Sequence, residues 1–152
     1  MNLKVSRQRV RGRAGGFTLI EIMVVVVIIG LLAAVIVPTV VSKVDEAKVN
    51  KAKADIQSLE TALTMYRLDN SKYPTSDQGL AALTTQPTDP SIKHWRPGGY
   101  LTRVSKDPWG NDYQYVIPGS HGKEYDLFSL GADGAPGGEG IDADIGNWNI
   151  GD

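Results

Sequence analysis

The sequence predicts an α+β protein: a long N-terminal helix, apolar in its first half and amphipathic in its second, packed on a small antiparallel sheet. Three observations predict it. Residues 17–41 hold a single charged group, Glu21, in an otherwise apolar or small-residue run. Ala52, Ile56, Leu59, Leu63 and Tyr66 then recur at spacings of four, three, four and three, which is one stripe of an α-helix. Beyond residue 100, short alternating runs are separated by Pro, Gly, Asn and Asp, the residues that punctuate strands and turns.

The N-terminus is basic. Lys4, Arg7, Arg9, Arg11 and Arg13 precede any acid, and without these five the chain has 11 basic residues against 17 acidic, a net of −6. Such a remainder lacks the basic face that nucleic acid requires, so no nucleic-acid partner is expected. With no cysteine, disulfides, thiolate zinc sites and cysteine nucleophiles are excluded. No GxSxG, HExxH or GxxxxGK[ST] string occurs, and His94 and His121 fall in turn-like segments, so enzyme chemistry has no recognisable constellation.

The apolar run comes next. As a helix, residues 22–41 cover about 30 Å, the thickness of a bilayer's hydrocarbon core. The basic residues before it, with Asp45 and Glu46 after it, predict a single pass with the N-terminus in the cytoplasm. Helical character continues through Pro38 to residue 70, which predicts one rod of about 81 Å, bent at the proline. Glu21 has two readings. Acids within a membrane segment are functional candidates because their burial is costly; alternatively Glu21 lies in the headgroup layer and is simply solvated.

In the soluble part, Asn70 and Ser71 end the helix, and Thr75 with Gln78 reads as a capping box opening a short helix through Leu83. Residues 86–99 carry three prolines and form a surface loop. Trp95 in that loop either roofs the core or anchors a partner. The Asp107, Pro108, Trp109, Gly110, Asn111 stretch is a turn. Residues 113–117 and 125–129 then form a hairpin, joined by a third strand near residues 100–104. From Glu124 to the C-terminus there are seven acids and no base, with glycine throughout, so this stretch is either a solvated tail or a loop tied by a cation.

The string GFTLIEIMVVVVIIGLLAAVIVP, beginning at Gly16, resembles the class III signal of type IV pilins and type II secretion pseudopilins. The stretches YPTSDQGLAAL, DPWGNDYQY and YDLFSLGADG, with the absence of cysteine, are similar to the major pseudopilins of type II secretion systems rather than to type IV pilins or minor pseudopilins, the alternative reading. The resemblance implies a type IV pilin-like fold in three parts: a leader over residues 1–16, a transmembrane and assembly helix over 17–41, and a periplasmic domain over 42–152. It implies cleavage by a prepilin peptidase between Gly16 and Phe17, methylation of the new Phe17 amine, and a role for Glu21 in neutralising a neighbouring subunit's amine during assembly. It further implies a structural, non-enzymatic homopolymer anchored in the inner membrane and assembled into a periplasmic pseudopilus. Its partners would be minor pseudopilins, inner-membrane platform proteins and, indirectly, a cytoplasmic ATPase. Calcium is the implied cofactor, held by Asp133, Asp142 and Asp144 with the carbonyls of Leu130 and Ala132.

Overall fold

The computed structural model describes residues 16–151. The predicted basic leader up to residue 15, and Asp152, lie outside the described residues. The chain divides into two compact units, Met1–Val40 and Val41–Asp152. The long helix, α1, is assigned over Leu19–Asn70 and is continuous in helical assignment through Pro38.

In the first unit every side chain of residues 17–36 is exposed, from Phe17 through Ile36. A helix that is apolar on all sides has no polar face to give to water, so it requires lipid or other helices around it. It contains a window long and apolar enough to cross a membrane.

In the second unit the predicted stripe is the core. Ala52, Ile56, Leu59, Leu63 and Tyr66 are buried together with Leu80, Leu83, Tyr113, Tyr115, Tyr125, Leu127 and Ile145. Each large apolar side chain removed from water here contributes roughly 1.5–3 kcal/mol. Polar residues flank the stripe, with Lys51 Nζ 2.5 Å from Asp55 Oδ2. Asp55 Oδ2 also accepts the Tyr113 hydroxyl at 3.0 Å, tying the sheet side of the core to the helix. The helix stops where predicted. Ser71 takes a left-handed conformation, φ 63°, and its N–H donates to Arg67 O at 2.7 Å, the geometry of a helix C-terminus.

The predicted capping box forms. Gln78 N donates to Thr75 Oγ1 at 3.2 Å and Thr75 N to Gln78 Oε1 at 3.0 Å. It closes a turn that leads into a 3₁₀ turn at Leu80–Leu83 rather than one continuous α-helix. Trp95 roofs the core: its indole N–H donates to Ala82 O at 2.9 Å and its ring meets Tyr100 edge-on at 6.2 Å. The anchor reading of Trp95 is therefore not needed.

The sheet has three antiparallel strands in the order β1 (Gln114–Val116), β2 (Asp126–Ser129), β3 (Ile145–Gly146). Tyr115 pairs with Leu127, and Ser129 with Ile145. The hairpin is as predicted, but the third strand is not near residues 100–104. There the N–H groups of Tyr100 and Leu101 both donate to Leu83 O, at 2.7 and 3.1 Å, so those donors serve the 3₁₀ turn instead of a ladder. The third strand comes instead from the glycine-rich C-terminal stretch. Only two residues long, it is extended by Asn147, whose N–H donates to Leu127 O and whose side chain accepts Leu127 N and donates to Tyr125 O.

Candidate functional site

Two places carry candidate function: the first turn of α1, and the loop between β2 and β3.

At the helix start, Glu21 stands three residues after Thr18. Thr18 N donates to Glu21 Oε2 at 2.7 Å, Thr18 Oγ1 donates to the same oxygen at 2.9 Å, and Glu21 N donates to Thr18 Oγ1 at 3.2 Å. This is a reciprocal capping box: helix N-termini leave unpaired N–H groups, and a hydroxyl and a carboxylate three residues apart satisfy two of them. The carboxylate also sits at the positive end of the helix dipole. The T-x-x-E spacing was visible in the sequence; reading Glu21 only as an acid in an apolar run missed it. All of the carboxylate's bonds to Thr18 fall on Oε2, which among the described residues leaves Oε1 for a further donor. Gly16 and Phe17 precede the helix, both exposed.

The second place is the loop of residues 130–144. Its two arms approach too closely for side chains: a Cβ on Gly131 or on Gly138 would fall within 2.7 Å of the Asp142 main chain, and both glycines have positive φ. Ala132 N donates to Ile141 O at 2.9 Å. Asp144 closes the loop by a pair of bonds, its N–H to Gly137 O at 3.1 Å and its Oδ2 accepting Gly137 N at 3.0 Å. Asn149 holds Asp144 from behind, its amide N donating to Asp144 O at 3.0 Å while its Oδ1 accepts Gly146 N.

The predicted convergence of Asp133, Asp142 and Asp144 is not found. Among the described residues no three acidic or imidazole groups stand close enough to hold a metal ion. Mutual repulsion opposes such a gathering, and local bonds satisfy the outer acid: exposed Asp133 accepts Ala135 N at 3.0 Å within its own turn. One atom stands out. Asp144 Oδ1 is buried and has no hydrogen-bond partner, an uncommon state for a carboxylate oxygen, which ordinarily finds a donor or a cation when removed from water. An oxygen-only loop with one such atom suits a hard cation such as calcium, which takes roughly six to eight oxygens at flexible angles.

Sequence reasoning did not find the residues that fix this loop from below. Asp107 is only 5 % exposed, and its Oδ1 accepts Trp109 N and Asn111 N at 3.0 and 2.8 Å. Its Oδ2 accepts the fully buried Ser129 hydroxyl at 2.6 Å. An aspartate opening a Pro-Gly turn gave no sign of burial.

Comparison with known proteins bears on both places. The family model described as "Type II secretion system (T2SS), protein G" matches residues 39–148, and that of the "Prokaryotic N-terminal methylation motif" matches residues 11–37. The chain is 60% identical over 137 residues to the type II secretion system core protein G of Vibrio cholerae, covering 90% of this chain and 93% of that one. It is 57% identical over 140 residues to the core protein G of Pseudomonas aeruginosa, covering 91% and 98% respectively. The crystal structure of the major pseudopilin from the type 2 secretion system of enterohaemorrhagic Escherichia coli matches with a TM-score of 0.62 at 47% identity, over 70% of this chain and 90% of that one.

Proposed function

The chain belongs to the type II secretion system protein G family, and on that premise we propose that it is the major pseudopilin of such a system. In this reading it is a structural subunit that polymerises through its N-terminal helix into a periplasmic pseudopilus, whose growth drives folded proteins across the outer membrane. It does no bond chemistry of its own.

The observation that carries the reading is the uncovered apolar helix of residues 19–36, interrupted only by Glu21. Before assembly, lipid covers that surface, with the N-terminus cytoplasmic and the second unit periplasmic; after assembly, the helices of other subunits replace the lipid. Removal of the leader after Gly16 creates a charged amine at Phe17. Glu21 Oε1 is the acceptor for the corresponding amine of a neighbouring subunit, since an ammonium and a carboxylate buried together lower each other's desolvation cost. The capping box with Thr18 keeps the carboxylate partly satisfied until then. Minor pseudopilins, the peptidase, platform proteins and, indirectly, an ATPase are the partners this cycle requires.

The reading includes a calcium ion in the loop of residues 130–144, supported by the unpartnered Asp144 Oδ1. Asp133, Asp142 and Asp144 would be drawn together around it, with the carbonyls of Leu130 and Ala132, and the bound ion would neutralise an acidic loop and lock it. Asp144 and Gly137 close the loop, and Asn149 orients the Asp144 main chain.

In-cell cross-linking tests the assembly role. Long homopolymeric ladders are expected, and they should vanish in Glu21→Ala cells that still insert the protein. Single heteromeric adducts would instead mark a tip subunit, and monomers alone would overturn the reading.

A further inference from the structure

The loop of residues 130–144 is reached by a relay of hydrogen bonds that starts outside it. The Asp107 carboxylate accepts the Ser129 hydroxyl at 2.6 Å, and Ser129 Oγ in turn accepts Gly131 N at 3.2 Å. Asn111, from the same turn as Asp107, donates its amide to Gly131 O at 3.4 Å and lies 3.5 Å from where a side chain on Gly134 would begin. One turn therefore holds the Gly131 carbonyl directly, through Asn111, and the Gly131 N–H indirectly, through Ser129.

Peptide planarity gives this a directional consequence. In a trans peptide the C=O of one residue points opposite to the N–H of the next. Pinning Gly131 N–H onto Ser129 Oγ therefore aims the Leu130 carbonyl the opposite way, and the Gly131 bond to Asn111 fixes the following plane. Gly131 has φ 67° and sits against the Asp142 main chain, so the peptide has little room to turn over.

We propose that the Asp107–Asn111 turn is a positioning element for calcium, with Asp107 acting through Ser129 to aim the Leu130 carbonyl at the ion. This rests on the calcium reading above. Neither Asp107 nor Ser129 touches the ion. Their role is to make this one carbonyl ready before binding, so that only the acids have to be gathered when the ion arrives.

The test is calorimetric titration of the detergent-solubilised full chain with calcium chloride. Ser129→Ala and Asp107→Asn should each weaken binding about tenfold, and the double variant should be no weaker than either single one, because both break the same relay. Ser129→Thr, which keeps the hydroxyl, should restore most of the affinity. Leu63→Val is the control for a merely structural effect: it lowers the melting temperature without touching the loop and should leave the calcium affinity unchanged. If Ser129→Ala does not fold, Asn111→Ala removes the second hold on Gly131 and should weaken binding by several-fold. Variants that bind as tightly as the natural chain, or losses that multiply in the double variant, overturn the relay while leaving the calcium reading standing. An absence of binding heat in the natural chain overturns both.

Discussion

Acid should unfold the second unit partly through one residue, Asp126. It is only 3 % exposed, and its carboxylate accepts Ser120 N at 2.8 Å, Ser120 Oγ at 2.7 Å and His121 Nδ1 at 2.9 Å. Burial pushes this carboxyl up, but the bonds from Ser120 and His121 outweigh burial and hold it at about 2, below the ordinary 3.8. A carboxyl lowered this far in the folded state corresponds to about 2 kcal/mol of stability. Since the folded value lies below the unfolded one, that stability is complete above the unfolded value and is lost as pH falls toward the folded value. Asp126→Asn keeps the shape and removes the titration. Urea unfolding followed by circular dichroism, on the full chain in detergent at pH 5 and pH 2, gives the acid loss for each protein. The natural chain should lose about 2 kcal/mol more than the variant. Other acids, including Asp89, which bonds from Ser91 and Lys72 also hold at about 2, titrate in both proteins and cancel. A difference below about 0.5 kcal/mol, within the scatter of such comparisons, would refute the account.

Leu63→Ala should destabilise the second unit by about 2–5 kcal/mol, read from urea midpoints, because Leu63 is fully buried against the sheet. Mass spectrometry of the membrane-extracted protein should find a methylated Phe17 at the N-terminus; an intact Met1 in cells containing the peptidase would contradict the assigned processing. Glu21→Ala should still be inserted and processed yet give no filaments by electron microscopy, and a normal filament yield would reduce Glu21 to a helix cap. Calcium should raise the melting temperature of the natural chain by mass action, with the rise much reduced in Asp144→Ala.

Much of this was legible in the sequence because it rests on periodicity. The stripe from Ala52 to Tyr66 could lie in a core only as a helix, and the apolar run before it could be satisfied only away from water. The Thr75 and Gln78 capping box was legible for a related reason: its chemistry is local. What failed was pairing over distance. Residues 100–104 include the strand-forming Tyr100, Thr102 and Val104, but whether they find a partner strand depends on Leu83, whose carbonyl takes the Tyr100 and Leu101 donors. Conversely, Ile145 and Gly146 are too few to show a period, and Asn147 finishes their work with a side chain. At the candidate site the acids were visible as composition, but Asp107 and Ser129 were not, since nothing in a turn sequence reveals that its aspartate is buried.

The brevity of the sheet has a consequence for crowded chains. Exposed strand borders are templates onto which another chain can add, and proteins blunt them by keeping them short or plugging them. Here β1 offers three residues and is followed at once by Ile117 and Pro118, while β3 offers two before the Asn147 side chain turns back onto β2. Neither border has length enough to recruit a strand from a neighbour. Subunits held side by side in a polymer, at a local concentration that would drive exposed strands to zip together, are thereby kept from amyloid-like cross-pairing.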